Sequence, residues 1–130
     1  MPKRALLDTD VLIWHLRGRE STRRWIEELK AGGVPCCSAL SVSEIVLGMR
    51  PTEEAATRTF LDALDVIPVD RRVAWRAGEL IRTYARHGVT LDFVDATIAA
   101  TCLTYGLILA TYNVRHYPMP ELQSDLPPLD

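Results

Sequence analysis

Leu6-Leu7-Asp8-Thr9-Asp10-Val11-Leu12-Ile13 is the stretch that decides the fold: an apolar run stops at two carboxylates and a second apolar run follows. Residues 5–7 read as a buried strand, and residue 11 onward as the helix that leaves it. Asp8 then sits at the carboxyl end of that strand, where open α/β sheets place their ligands. Asp is equally a favoured helix N-cap, so Asp8 and Asp10 each admit a purely structural reading. The rest of the chain has to separate the two.

Beyond this stretch strands and helices alternate. Residues 34–38, 66–69 and 107–110 read as further short strands. Helices are expected over 11–16 and 21–29, and behind Ser41-Val42-Ser43-Glu44, which has the form of a capping box. Pro51 closes that helix and Thr52 caps the next, which runs to about residue 64. Asp70 caps a long helix with the stripe Val73, Ala77, Leu80, Ile81 and Tyr84, ended by Gly88. Residues 91–105 are apolar on nearly all sides, the mark of a central helix. This alternation implies a three-layer α/β/α domain with a short parallel sheet of four or five strands. One domain spans 1–130, with an extended tail from about residue 118, rich in proline, that wraps or frays.

Composition narrows the function classes. A chain of 130 residues, 48% hydrophobic and 25% charged, has the size and balance for one sizeable core. A net charge of -2 excludes binding of nucleic acid by bulk positive potential and leaves only local patches. Arg17, Arg19, Arg23 and Arg24 form one such run, and Arg71, Arg72 and Arg76 another, although charge runs are usually solvated faces. Cys36, Cys37 and Cys102 have neither a disulfide framework nor zinc spacing, and read as core residues in a reducing compartment. The opening apolar run is too short to span a bilayer or to serve as a signal core. The expectation is a cytoplasmic protein with no membrane partner.

Asp95 shifts the balance toward chemistry, because it lies near the start of the most apolar helix, in line with Ala99 and Cys102. An ionised carboxylate there is costly unless it is paired or meets a cation. Its structural alternative is a cap begun at Asp92, and Glu44 is accounted for by its capping box. Yet Asp8, Glu44, Asp95 and the Thr111-Tyr112-Asn113 turn all fall at a strand end or helix start, positions that can meet at one sheet edge. Gathered hard oxygen ligands suit Mg²⁺, with Mn²⁺ as a substitute. Such an ion supplies hydroxide near neutral pH and supports in-line phosphoryl displacement, so the expected reaction is metal-dependent phosphodiester hydrolysis.

At these motifs the chain resembles the PIN-domain ribonucleases, specifically the VapC-type toxins of prokaryotic toxin-antitoxin pairs. The resemblance runs through Leu-Leu-Asp8-Thr-Asp-Val-Leu-Ile, Ser-Val-Ser-Glu44-Ile-Val-Leu-Gly, Val-Asp95-Ala-Thr-Ile-Ala-Ala-Thr and Leu-Ala-Thr111-Tyr-Asn113-Val-Arg-His-Tyr. It implies that Asp8 and Asp95 bind Mg²⁺, with Glu44 a ligand or water-positioning group. Asn113 joins them in the catalytic set, and Asp10, Thr111 and Asp92 form the surrounding or substrate-facing set. Many members carry a further Asp after the Thr-x-Asn turn, where this sequence has His116. The resemblance also implies an RNA substrate, a homodimer and a cognate VapB-type antitoxin whose segment crosses the active-site groove. Trp14, Trp25, Val11 and Leu12 are candidate anchors for that segment, with core packing as their other reading. Two further readings stay open: a PIN-fold module that binds RNA or protein without efficient catalysis, and a haloacid-dehalogenase-like phosphatase suggested by Asp8-Thr9-Asp10-Val11. The latter lacks a downstream lysine, since the lysines are Lys3 and Lys30.

Overall fold

The computed structural model describes residues 3–125. Five strands, β1 (Ala5–Leu7), β2 (Cys36–Ser38), β3 (Asp65–Ile67), β4 (Ile108–Ala110) and β5 (Ser124–Asp125), form one parallel sheet in the order β3-β2-β1-β4-β5. Alternation along these short strands divides the core. Leu6, Cys36 and Leu109 face one layer, whereas Ala5, Leu7, Cys37 and Ala110 face the other.

The second layer holds α1 (Thr9–Leu16), α2 (Glu20–Leu29), α3 (Ala39–Gly48) and α4 (Glu54–Asp62). Val11, Leu12, Trp25 and Ile26 are buried in it. The first layer holds α5 (Arg71–Arg86) and α6 (Phe93–Tyr105), and Ala96 to Cys102 of α6 are buried throughout. Thr97 and Thr101 tolerate this burial because their hydroxyls donate back to the Phe93 and Thr97 carbonyls, both at 2.8 Å. Asp70 caps α5 through the Val73 amide and accepts the Tyr105 hydroxyl, tying the start of α5 to the end of α6. The three cysteines are free and buried.

Two sequence expectations change, and a third resolves to one of its alternatives. The helix α3 begins at Ala39, with Ser38 as its N-cap accepting from the Leu40 amide, so Ser41-Val42-Ser43-Glu44 is not a capping box. Pro51 does not close that helix; it opens a 3-10 turn (Pro51–Glu53) that leads into α4. The segment after residue 117 does not fray within the described residues. Tyr117, Met119 and Leu122 pack into the α6 layer and Ser124–Asp125 adds the fifth strand beside β4. Pro127 and Pro128 lie outside the described residues.

The chain proceeds from β1 to β2 and β3 on one side, then returns to β4 and β5 on the other. The order reverses between β1 and β4, and such a switch point opens a crevice at the carboxyl ends of the two strands. Asp8 follows β1 and Thr111 follows β4, in register through the Leu7–Ala110 pair.

Candidate active site

Asp8 continues the β1 ladder, its amide donating to the Ala110 carbonyl at 2.9 Å, and it is 5% exposed. Its Oδ1 accepts the Thr9 amide at 2.8 Å as the N-cap of α1. Its Oδ2 accepts the Thr111 hydroxyl and the Tyr117 hydroxyl, each at 2.8 Å. Capping and a site role therefore coexist, because the two oxygens do different things.

Asp95 arrives from the first turn of α6. Asp92 is the cap there, its Oδ2 accepting the Val94 and Asp95 amides at 3.0 and 3.1 Å. That leaves the Asp95 side chain free to turn inward, where Oδ1 meets the Tyr117 hydroxyl at 3.2 Å. One phenol thus joins the two aspartates. His116 Nδ1 stands 3.4 Å from Asp95 Oδ2, beside the acid and not in the acid's role. Burial, then the charges of Asp8 and Asp92, raise the Asp95 carboxyl above the ordinary range.

Glu44 flanks this pair. Its Oε1 accepts the Thr9 hydroxyl at 2.6 Å, and the same hydroxyl shares a 2.8 Å contact with Ser41. Thr9 therefore links Glu44 to Asp8, with its amide on one and its hydroxyl on the other. Among the described residues no three His, Cys, Asp or Glu side chains converge closely enough to hold an ion by themselves. The expected four-part cluster is a joined pair with a flanking third acid.

Asp10 and Asn113 form a separate unit at the rim. Asp10 Oδ2 accepts the Tyr112 amide at 3.1 Å and Asn113 Nδ2 at 2.9 Å, so Asn113 braces Asp10 and its side chain is spent there. Thr111, fully buried, donates to Asp8 and accepts the Asn113 amide at 2.9 Å. Asp92 caps α6 through Oδ2, and its charge is felt at Asp95. Burial and then the Asp8 charge push Asp10 up to about 7, and its Oδ1 is buried with no hydrogen-bond partner.

This sets a pH test. In the unfolded chain Asp10 ionises near 4, whereas the fold keeps its proton until about pH 7. The stability tied to that proton is fully present below pH 4 and is lost as pH rises through 7. Asn at position 10 keeps an acceptor for both donors and carries no charge. Metal-free Asp10→Asn will therefore melt roughly 5 °C above wild type at pH 8, a gain that shrinks toward pH 5 in a thermal scan series.

The candidate anchor residues also separate. Val11, Leu12 and Trp25 belong to the core and present no docking surface. Trp14 is 38% exposed, with the Arg17 and Arg19 guanidinium groups 5.6 and 4.7 Å from its ring centroid. Arg24 is within 3.7 Å of Glu20, so the first arginine run is partly engaged within its own helix layer.

The residues fit a hard divalent ion. The set is carboxylate and hydroxyl oxygen, burial and then like charge raise two of the acids, and Asp10 keeps an orphaned oxygen. Sequence reasoning missed Tyr117 and Thr9, the two residues that join the acids. Tyr117 was visible only as the neighbour of His116, and Thr9 only as the spacer between two aspartates.

Acids at the switch point of a five-stranded parallel sheet define an α/β domain of the PIN class, and the family model described as PIN domain matches residues 5–122. Ribonuclease VapC10 of Mycobacterium tuberculosis is 39% identical over 116 residues, covering 89% of this chain and 87% of that relative. A toxin-antitoxin complex from Klebsiella pneumoniae contains a chain 27% identical, with a TM-score of 0.76, covering 90% of this chain and 92% of that one. VapBC2 from Rickettsia felis, bound to a DNA fragment from their promoter, shares the fold at a TM-score of 0.86 and 18% identity, covering 95% and 98%. The chain belongs to the PIN-domain family, in its VapC branch.

Proposed function

We propose that this chain is the ribonuclease toxin of a VapBC-type pair, cleaving RNA phosphodiester bonds with the help of Mg²⁺. The observation that carries this reading is the Asp8–Tyr117–Asp95 junction at the sheet's switch point. VapC10 is a ribonuclease by name and its likeness covers most of both chains. When bound, the ion supplies an activated water and neutralises charge developing on the phosphate.

The chain's own residues do the rest. Asp8 and Asp95 would hold the ion, and with only two joined acids its remaining positions fall to water and to a phosphate oxygen, as Mg²⁺ prefers. Thr111 and the Thr9 amide fix the Asp8 carboxylate on both oxygens, limiting its rotation. Glu44, steadied by Thr9, sits where it can orient a water by accepting its proton. Asp10, held by the Tyr112 amide and Asn113, lines the rim of the same crevice.

The antitoxin reading rests on the groove beside Glu44, lined by Ile13, Leu16, Arg17, Ile45 and Met49. It is small, apolar with charged edges, and sized for one or two anchoring side chains of a VapB-type partner's segment. Among the described residues no helix is long and apolar enough to cross a membrane, and on this reading the protein works in the cytoplasm beside its RNA.

The test is cleavage of a panel of structured cellular RNAs by purified protein, with Mg²⁺, with Mn²⁺ and with EDTA. Cleavage in either metal and none in EDTA is the expected result. The absence of a three-acid cluster favours one competing reading, a module that binds without cutting. RNAs retained by the protein yet intact in both metals would establish that alternative.

A further inference from the structure

Each oxygen of the acid pair can be assigned a partner. Asp8 Oδ1 accepts from the Thr9 amide, and Oδ2 from two hydroxyls, which fills the acceptor capacity of Oδ2. Asp95 Oδ2 faces His116, and Oδ1 receives the longer arm of Tyr117. Tyr117 has one proton and two anionic acceptors, at 2.8 and 3.2 Å. Its ring is held by the core, since Tyr117 is 6% exposed and packs in the same apolar cluster as Met119 and Leu122, so the hydroxyl can yield only by turning its O–H away from the acids. Bulk water therefore does not take the hydroxyl's place.

We propose that the Tyr117 hydroxyl is a built-in occupant of the acid pair, holding Asp8 and Asp95 together until a divalent ion displaces it. This rests on the reading of the pair as an ion site and adds a residue that sets how readily the site fills. The hydroxyl stabilises the ion-free protein by putting a proton between two like charges. For the same reason it competes with an ion for Asp8 Oδ2 and Asp95 Oδ1. Tyr117 is thus a positioning residue that raises the free ion concentration at which the pair loads.

The consequence runs against ordinary intuition about removing a contact. Tyr117→Phe keeps the buried ring and deletes only the oxygen, leaving the two carboxylates facing each other with nothing between. The ion-free variant loses stability, whereas the ion-loaded form, in which the O–H has already turned from the acids, loses little. Affinity for Mn²⁺ must then rise, by about tenfold if the bond has the usual strength of one made to a charged group. A residue that merely packed would lower stability without tightening ion binding.

Calorimetric titration of wild type and Tyr117→Phe with Mn²⁺ alone, paired with melting of both proteins in EDTA, tests this. The expected result is a lower EDTA melting temperature and a roughly tenfold lower dissociation constant for the variant. Equal or weaker Mn²⁺ binding by the variant overturns the inference while leaving the ion site intact. Mn²⁺ uptake by neither protein overturns both. Should the variant fail to fold, wild type alone decides: Mn²⁺ saturation must perturb the near-UV tyrosine band, and an unchanged band refutes the displacement.

Discussion

Asp95→Asn will cut RNA more slowly than wild type by on the order of 10²–10³-fold, yet its ion-free melting temperature will be no lower. On the proposed reading, the loss of activity follows from removing one of the two acids that hold the ion. The preserved stability follows from the direction of the Asp95 shift. Its carboxyl is raised by burial and by the charges of Asp8 and Asp92, so at neutral pH the ionised form costs the fold free energy. Asn removes that cost and still offers an oxygen to the Tyr117 hydroxyl. The alternative, that Asp95 exists to cap α6, requires a clear loss of stability in the same variant. Asp92 already receives both amides at that end, so the capping account has nothing left for the Asp95 side chain to do. Cleavage rates on one RNA and melting curves in EDTA, read together, distinguish the two.

What could be read from the sequence was local. A short apolar run, a cap and a resumed apolar run sufficed for β1 and α1, and the stripe Val73, Ala77, Leu80 with its Asp70 cap sufficed for α5. The failures are equally specific. Ser41 and Glu44 stand three apart, as in a capping box, but Ser38 starts the helix one turn earlier. The hydroxyl of Ser41 and the carboxylate of Glu44 are then both free to meet Thr9, from a distant part of the chain. The fifth strand was hidden because its pairing depends on the open edge of β4, not on any pattern within residues 118–125. Tyr117 was hidden for a similar reason. Its partners lie 109 and 22 positions away, and a phenol between two carboxylates leaves no mark on the linear sequence. The positions of Asp8 and Asp95 were legible because acids interrupting apolar runs are conspicuous; what joins them was not.

The Thr111-Tyr112-Asn113 turn sends its two polar side chains apart. Thr111 points back to Asp8 across the β1–β4 register, and Asn113 reaches Asp10 at the rim. One motif therefore serves two carboxylates that titrate differently, and a substitution at Asn113 acts on Asp10 first.

Asp8→Ala will behave unlike Asp95→Asn, losing both cleavage and about 3 kcal/mol of stability, or roughly 10 °C in ion-free melting temperature. The structure separates the two aspartates by what they accept. Asp8 takes an amide and two hydroxyls in a site 5% exposed, so truncation to Ala strands the Thr9 amide and the Thr111 hydroxyl, leaves Tyr117 only its longer bond to Asp95, and uncaps α1. A stranded buried donor costs about 1–3 kcal/mol. Relief of repulsion works in the opposite direction, because the Asp8 charge helps raise both Asp10 and Asp95. That relief is spread over groups partly open to solvent, whereas the lost bonds are local and dry, so the bonds decide the sign. Asp8→Asn tests the division directly. It retains an oxygen for the Thr9 amide and lets the Thr111 and Tyr117 hydroxyls rotate to accept, so it will recover most of the stability and none of the cleavage. An Asp8→Ala protein as stable as wild type in EDTA would mean that these three bonds do not hold the crevice together, and that charge crowding dominates it.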